Sequence, residues 1–263
     1  MAGNGTFDDP YIATTYAELV SYAANTGTYT KVDNDINIAD EYPDGDMPTL
    51  VVEGIVDGNN KKISNWYKTS SDPIISFIDT YGQIHDLDIN NILCVNSFAI
   101  YCDGYNPDFR LVDCTIRGKC KALLTAYTGR GSSRNFLRCS IYVKTYWQYG
   151  VIDGGSYYFG VKDSYAKFDA NPNSAYLWDL SNDTLIDSCY IKANRLLGRQ
   201  CLENCACELT TNQTTTVDAS ATLKNIIDAT KAPNVSCSNG YAAIPTTDWL
   251  DISVLAAAGF NCG

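Results

Sequence analysis

Cysteine is the residue type with the most reactive side chain in this 263-residue chain, which contains eleven cysteines. Cys201, Cys205 and Cys207 lie close enough for metal ligation, but no second CxxC pair or histidine follows nearby to complete four ligands. We therefore predict no metal site and no cofactor. Cys114 sits at the centre of LVDCTIRG (111–118), where a strand would usually carry Val or Ile. Since free cysteine packs as a small hydrophobe, packing is our main interpretation of Cys114, with a disulfide between neighbouring strands as the alternative.

Carboxylates and the single histidine are the candidates for acid–base chemistry. Asp103, Asp153 and Asp179 follow similar apolar segments, and two carboxylates about 5 Å apart can serve a retaining glycosidase. Their offsets from those segments are odd for Asp103 and even for the other two, which favours corner residues over a catalytic group. His85, in QIHDLDIN, has polar neighbours. We interpret it as a surface or hydrogen-bonded strand histidine rather than a general base.

A repeat of about 25 residues positions many of these residues. The pattern apolar-x-x-(Cys or apolar)-x-apolar recurs at nearly constant spacing with a shorter last step, and Ile63 extends it upstream by one further step. A second series lies between its copies and keeps the same spacing. The centres of the first series are Leu87, Cys114, Cys139, Ser164, Cys189 and Cys205, and those of the second are Ile100, Leu124, Val151 and Leu177.

Two strands that repeat in step, with Gly, Asn and Asp between them, predict a parallel β-helix. In this fold each coil adds a strand to separate parallel sheets, and successive coils stack about 4.8 Å apart. We predict an all-β protein, a right-handed parallel β-helix of about seven coils over residues 41–209. Equivalent inward positions then form vertical columns, in which Cys114 and Cys139 are neighbours.

Both ends of such a stack need a cover, because an open end exposes strand edges and core. Thr15 and Glu18 form a capping-box pattern at the start of YAELVSYAANTG, and Gly27 follows its end. We predict an N-terminal lead-in and cap helix over 1–40, with TTDWLDISVLAAAGF in a small C-terminal cap over 210–263 and a short helix at 221–229. The apolar stripe of the N-terminal cap helix consists of Tyr16, Leu19, Val20 and Ala23.

The segment GNGTFDDPYIATTYAELVSYAANTGTYTKVDNDINIAD, followed by VEGIVDGNNKKISNW, resembles the opening of pectin-lyase-like right-handed β-helix proteins. The shared features are a Gly-rich lead-in, a cap helix, a first strand at 29–36 and a coil of the type I-x-G-N-x-K-x-I. With the ladder, the resemblance extends to about residue 209. It implies a superfamily that holds polysaccharide lyases and galacturonases, and also many phage tailspikes, fibres and virion decoration proteins.

The enzyme motifs of that superfamily provide a test of catalysis. The galacturonase-like order of N-T-D, D-D, G-H-G and R-x-K is absent from this sequence. The lyases use clustered Asp ligands for Ca²⁺ and a basic proton acceptor, and we find no compact acidic cluster in the ladder with Arg or Lys at the matching height. We therefore predict no catalytic residues.

Aromatic residues are abundant, with nineteen tyrosines and four tryptophans. Clusters in TYWQYG, GGSYYFG and AYLWDL predict a lateral face that binds a protein partner or stacks on sugar rings. The alternative interpretation is core filling and loop cover. The candidate binding residues are Tyr146, Trp147, Tyr149, Tyr157, Tyr158 and Trp178.

The net charge of −11 opposes binding to nucleic acid and to anionic membranes. The sequence shows no signal-peptide pattern and no apolar stretch of membrane-spanning length, so we expect synthesis in the host cytoplasm. We expect a non-catalytic bacteriophage virion protein, either capsid decoration or a tail spike or fibre component. A polysaccharide-degrading enzyme and a carbohydrate-binding adhesin are the alternatives. The expected partners are other virion proteins, with a homotrimer and a host surface polysaccharide as further options.

Overall fold

Parallel strands stacked coil upon coil form the body of the protein. Within the described residues the strands pair in parallel with their counterparts in the coils before and after, in three columns. The predicted all-β parallel β-helix is therefore confirmed. The computed structural model describes residues 3–78, 82–103, 110–127, 136–146, 152–154, 160–162, 164–169, 178–180, 184–187, 190–193, 200–203, 206–209 and 222–224.

The first column includes strands on both sides of the predicted limits at 41 and 209. Its inward positions Val56, Ile84, Leu111, Phe136 and Val161 are register partners from coil to coil, and all are buried. Its strands are, in order, Tyr11–Ala13, Tyr29–Val32, the first part of Ile55–Ser64, the first part of Gln83–Asp103, Leu111–Val112, Phe136–Leu137, Gly160–Lys162, Thr184–Asp187, Gln200–Glu203 and Thr222–Lys224.

The second column stacks isoleucines at one inward position: Ile36, Ile63, Ile89, Ile116 and Ile141 are register partners and buried. Its strands are Ile36–Asn37, the end of Ile55–Ser64, the middle of Gln83–Asp103, the first part of Thr115–Tyr127, Ser140–Thr145, Tyr165–Asp169, Tyr190–Ala193 and Ala206–Leu209. Those of the third column are Leu50–Val52, Ile75–Ile78, the ends of Gln83–Asp103 and Thr115–Tyr127, Ile152–Gly154 and Trp178–Leu180.

The predicted column of small residues is also present. Thr115 pairs with Ser140, and Ser140 pairs with Tyr165. The residues just before them, Cys114, Cys139 and Ser164, therefore occupy equivalent positions on successive coils. All three are buried. The next coils keep the register, with Tyr165 paired to Tyr190 and Tyr190 to Ala206, whereas the predicted members Cys189 and Cys205 lie outside the described residues.

Three positions of the predicted ladders are shifted. Ile63 pairs with Ile89 rather than with Leu87. In the second series, Leu124 pairs with Ile152, which pairs with Trp178, so the predicted centres Val151 and Leu177 are one residue early. Adjacent apolar residues such as Val151 and Ile152 cause this error, because a search by residue type alone cannot distinguish them.

The N-terminal cap helix Tyr16–Ala23 is confirmed. The Thr15 Oγ accepts a hydrogen bond from the Glu18 N–H at 3.2 Å. The Glu18 carboxylate accepts from the N–H and the hydroxyl of Thr14, both at 2.8 Å, so it caps one residue earlier than the usual box. Of the predicted stripe, Tyr16, Leu19 and Ala23 are buried and Val20 is half-buried.

The C-terminal region is described only in part. Thr222–Lys224 forms a strand that pairs with the strand Gln200–Glu203, so the short helix predicted at 221–229 is wrong at these residues. The predicted cap in TTDWLDISVLAAAGF lies outside the described residues. A 3₁₀ turn, Ile38–Asp40, completes the regular elements of the described chain. None of its helices has the length and apolar character needed to cross a membrane.

Candidate functional site

The interior cysteines pack rather than react. Cys94, Cys102, Cys114, Cys120 and Cys139 are all buried and free, which confirms packing for the described thiols. The Cys114 Sγ lies 3.3 Å from the carbonyl of Val112, and the Cys139 Sγ lies 3.4 Å from that of Leu111. Burial raises the pKa of the Cys102 thiol to about 12 and that of Cys114 well above its ordinary value. Such thiols stay protonated and unreactive at neutral pH.

The predicted aromatic face is described at only two positions. Tyr146 has an exposed side chain, and its backbone N–H donates to the carbonyl of Cys120 at 3.1 Å. Trp178 begins the strand Trp178–Leu180, of which the backbone alone is described. Trp147, Tyr149, Tyr157 and Tyr158 lie outside the described residues. This face stays a prediction.

The corrected register changes the interpretation of Asp103, Asp153 and Asp179. Asp153 pairs with Asp179 on one side and with Thr125 on the other. Asp103 instead pairs with Tyr127, two residues beyond Thr125. Measured from the true ladder partners Ile100, Ile152 and Trp178, all three offsets are odd. The difference in parity that we inferred from the sequence was therefore an effect of the one-residue shift.

A cluster of polar side chains occupies the outer side of the first column near the N-terminus. Asp57 and His85 are register partners on adjacent coils, and Tyr29 lies in the strand before Asp57. Asp86 follows His85 in the turn to the second column, with a left-handed φ of 54°. That conformation interrupts the alternation of an extended strand. The Asp86 carboxylate consequently lies beside the ring of His85.

The histidine ring is hydrogen-bonded at both nitrogens. Its Nδ1 lies 2.8 Å from Asp86 Oδ2 and 3.7 Å from Asp57 Oδ1, and its Nε2 lies 3.2 Å from the Tyr29 hydroxyl. That hydroxyl also lies 3.4 Å from Asp57 Oδ2. Burial, followed by the charge of Asp57, raises the pKa of Tyr29, which keeps its phenol protonated. The prediction of a hydrogen-bonded strand histidine is thus confirmed, with a phenol at one ring nitrogen and a carboxylate at the other.

A groove of about 700 Å³ opens over this cluster. The exposed ring of Phe7 forms one side and meets Tyr29 edge to face, with 5.2 Å between the ring centroids. His85, Asp86 and Asp113 supply part of the polar lining. The groove therefore combines aromatic surface with hydrogen-bonding groups, a composition typical of small-ligand sites.

The turn between the first and second columns carries a bidentate ion pair on the next two coils. The Arg138 Nε lies 2.7 Å from Asp113 Oδ1, and its Nη2 lies 2.5 Å from Asp113 Oδ2. Asp113 lines the groove together with His85 and Asp86. Asp57 and His85 are register partners one coil apart, but neither is a centre of the two predicted series, so the spacing of those centres does not bring them together.

Comparison with known proteins identifies no relative. The chain matches no protein-family model, no curated protein and no solved structure at a significant level.

Proposed function

We propose that this chain is a non-catalytic structural protein of a bacteriophage particle, either a capsid decoration or a component of a tail spike or fibre. The pectin-lyase-like resemblance of the N-terminal coils is one support. The observation that carries the proposal is the continuous parallel register from Tyr11–Ala13 to Thr222–Lys224. Stacked coils of this kind form a stiff elongated body, which suits an appendage of a particle.

The state of the cysteines supports the same proposal. Five buried thiols stay free in the described residues, so the stack needs no oxidation there in order to form. Such a protein can fold in the reducing cytoplasm of a host and remain folded after release. The net charge of −11 favours solubility outside the cell.

The test is physical association with purified particles. Phage particles produced from a genome encoding a tagged chain are banded in a density gradient, and antibody against the tag is imaged by electron microscopy. We expect the tag in the particle band at one defined location. A tag found only in the soluble fraction, with particles complete without the chain, contradicts the proposal. Release of reducing ends or unsaturated sugars from host polysaccharide would instead support the enzyme alternative.

The groove over His85 favours carbohydrate binding as a second candidate function. Sugar rings stack on exposed aromatic faces, and their hydroxyls bond to carboxylates and imidazole. Phe7 is 76% exposed, so Phe7→Ala removes an aromatic wall without disturbing the core. The matched control is Tyr146→Ala, on the aromatic face predicted from sequence.

Affinity electrophoresis in gels containing host-surface polysaccharide separates these sites. If the groove binds sugar, Phe7→Ala loses its retardation and Tyr146→Ala keeps it. The reverse result assigns binding to the predicted aromatic face. If the unmodified chain is not retarded by any host polysaccharide, carbohydrate binding is rejected and the structural role stands alone.

A further inference from the structure

Asp57, His85 and Asp86 place three metal-binding atoms close together. One carboxylate oxygen of each aspartate and one ring nitrogen of His85 lie within 4.8 Å of one another. The side chains of His85 and Asp57 are 21% and 19% exposed, and that of Asp86 is 41% exposed. The cluster is thus partly desolvated yet open to the groove.

The separations between these atoms suit a common ion. Ligands about 2.1 Å from a tetrahedral ion lie about 3.4 Å from one another. The observed distances from His85 Nδ1 are 2.8 Å to Asp86 and 3.7 Å to Asp57, which lie on either side of this value. One ligand atom of each residue lies within 4.8 Å of the other two, so binding a common ion requires the side chains to move closer together. A carboxylate, a carboxylate and an imidazole then leave further positions open to the groove.

The outer contacts of the cluster favour the required histidine tautomer. A proton on Nε2 donates to the Tyr29 hydroxyl, and that hydroxyl in turn donates to Asp57 Oδ2. Nδ1 then presents its lone pair towards both carboxylates. The Asn59 N–H donates to Asp57 Oδ1 at 2.7 Å, which orients this carboxylate and leaves a second lone pair on the same oxygen. Such supporting bonds are typical around metal ligands.

Acceptor atoms that face one another at these distances are stabilised by a proton or a cation between them. A proton on Nδ1 satisfies Asp86 at 2.8 Å, but it leaves Asp57 Oδ1 at 3.7 Å, beyond hydrogen-bond distance. A divalent ion contacts all three and neutralises both carboxylates. Imidazole favours zinc, nickel, copper or iron over calcium and magnesium, which prefer oxygen ligands.

We propose that Asp57, His85 and Asp86 bind a divalent first-row transition-metal ion, with Zn²⁺ as the test ion. The ion joins two coils, because Asp57 belongs to one and His85 to the next. The site goes beyond the proposed structural role, which does not depend on it.

The single histidine makes the site directly observable. The full chain is stripped with EDTA, dialysed and titrated with ZnCl₂ while the ring resonances of His85 are followed by NMR. We expect a saturable shift at one equivalent. Zinc bound at thiols leaves these resonances in place, so the readout distinguishes the proposed site from the cysteines.

Variants assign the ligands. Asp57→Asn and Asp86→Asn are expected to weaken the Zn²⁺ affinity, measured from the shift of the His85 resonances, at least tenfold. Tyr29→Phe is expected to weaken it by about 10-fold to 100-fold, because the hydroxyl no longer contacts His85 Nε2. Asp113→Asn is the matched control, because Asp113 occupies the equivalent turn position one coil further and lies outside the cluster. It should bind as the unmodified chain does. Circular dichroism confirms that each variant is folded, and the exposed Asp86 position provides a folded variant if Asp57→Asn is not.

Three results would overturn the proposal. The His85 resonances could stay unchanged up to excess Zn²⁺, both aspartate variants could bind as tightly as the unmodified chain, or Ca²⁺ could shift the resonances where Zn²⁺ does not. None of these results affects association with particles, so the two proposals fail independently.

Discussion

The two sides of one turn follow different rules, although they are built from adjacent residues. The inner side of the turn between the first and second columns carries Leu87, Cys114, Cys139 and Ser164, all buried. The outer side carries the residues before three of these: Asp86, Asp113 and Arg138, with φ values of 54°, 55° and 49°. Inside, small buried side chains follow Leu87 on three successive coils. Outside, the left-handed backbone repeats on all three coils, whereas the side chain changes from Asp to Arg.

Packing explains this difference. Inner side chains of successive coils are in contact about 4.8 Å apart, so a change in volume on one coil disturbs the next. Outer side chains face solvent and must only tolerate the left-handed backbone, which Asn and Asp do well. Chemistry can therefore vary from coil to coil on the outer side, and the His85 cluster and the Asp113–Arg138 pair lie there.

Replacement of an inner residue by a charged one should have the largest effect. Cys114→Asp places a carboxylate at a site that is 2% exposed, and we expect the free energy of unfolding to fall by at least about 3 kcal/mol. Cys114→Ser is the control and should cost about 1 kcal/mol, because a hydroxyl can bond to the carbonyl of Val112 as Ser164 bonds to that of Lys162. Urea unfolding followed by circular dichroism measures both. Near-native stability of Cys114→Asp would show that the position is not buried.

An outer column that does repeat sharpens the comparison. In the turn after the second column, Asn65 donates to the Asn37 amide oxygen at 2.7 Å and accepts from the Asn91 amide, and Asn65 has a φ of 62°. Asparagine repeats in this column because each side chain is hydrogen-bonded to the next. Asn65→Ala loses two hydrogen bonds and strains the left-handed backbone, so we expect a loss of about 2 kcal/mol.

The Asn65→Gly variant separates the two contributions. Glycine loses the same hydrogen bonds but adopts the left-handed backbone freely, so it should be about 1 kcal/mol more stable than Asn65→Ala. Equal unfolding free energies for the two variants would mean that the backbone conformation contributes nothing at this turn.

The buried thiols should make stability fall in alkali. Burial raises the pKa of Cys102, Cys114 and Cys120 above the ordinary value of 9.0. Their contribution is fully present below pH 9 and is lost as the pH rises towards the folded-state values, because only the unfolded chain ionises there. Each thiol should lower the free energy of unfolding by about 1.4 kcal/mol per pH unit above pH 9.

A variant with one thiol fewer provides the measurement. The slope of unfolding free energy against pH, obtained from urea titrations between pH 9 and 10.5, should be shallower in Cys102→Ala by about 1.4 kcal/mol per pH unit. The lost packing shifts the whole curve but leaves the slope unaffected. Identical slopes would indicate that the Cys102 thiol ionises in the folded protein.

Sequence predicted the inner side of the stack better than the outer side. Cys114, Cys139 and Ser164 were identified because small residues recur at a fixed spacing in a strand-like context, and packing enforces that recurrence. The cap helix followed from Thr15, Glu18 and an apolar stripe. The cluster of Asp57, His85 and Asp86 was missed, because its residue types do not repeat from coil to coil and the left-handed residue Asp86 places its side chain where strand alternation does not predict. The one-residue shift at Val151 shows the remaining ambiguity where two apolar residues are adjacent.

The smallest expected effect belongs to the outer pair of Asp113 and Arg138. Their side chains are 34% and 43% exposed, and water screens exposed ion pairs, so Arg138→Ala should lower the free energy of unfolding by only about 0.2 to 1 kcal/mol. The pair should weaken further in high salt. Arg138 has a left-handed φ of 49°. Arg138→Gly loses the same ion pair but relieves the backbone strain, so its free energy of unfolding should be about 1 kcal/mol higher than that of Arg138→Ala. Urea unfolding at low and high salt measures both variants. A loss above about 3 kcal/mol in Arg138→Ala would be as large as that expected for truncating a buried side chain. The distinction between the two sides of the turn would then no longer hold.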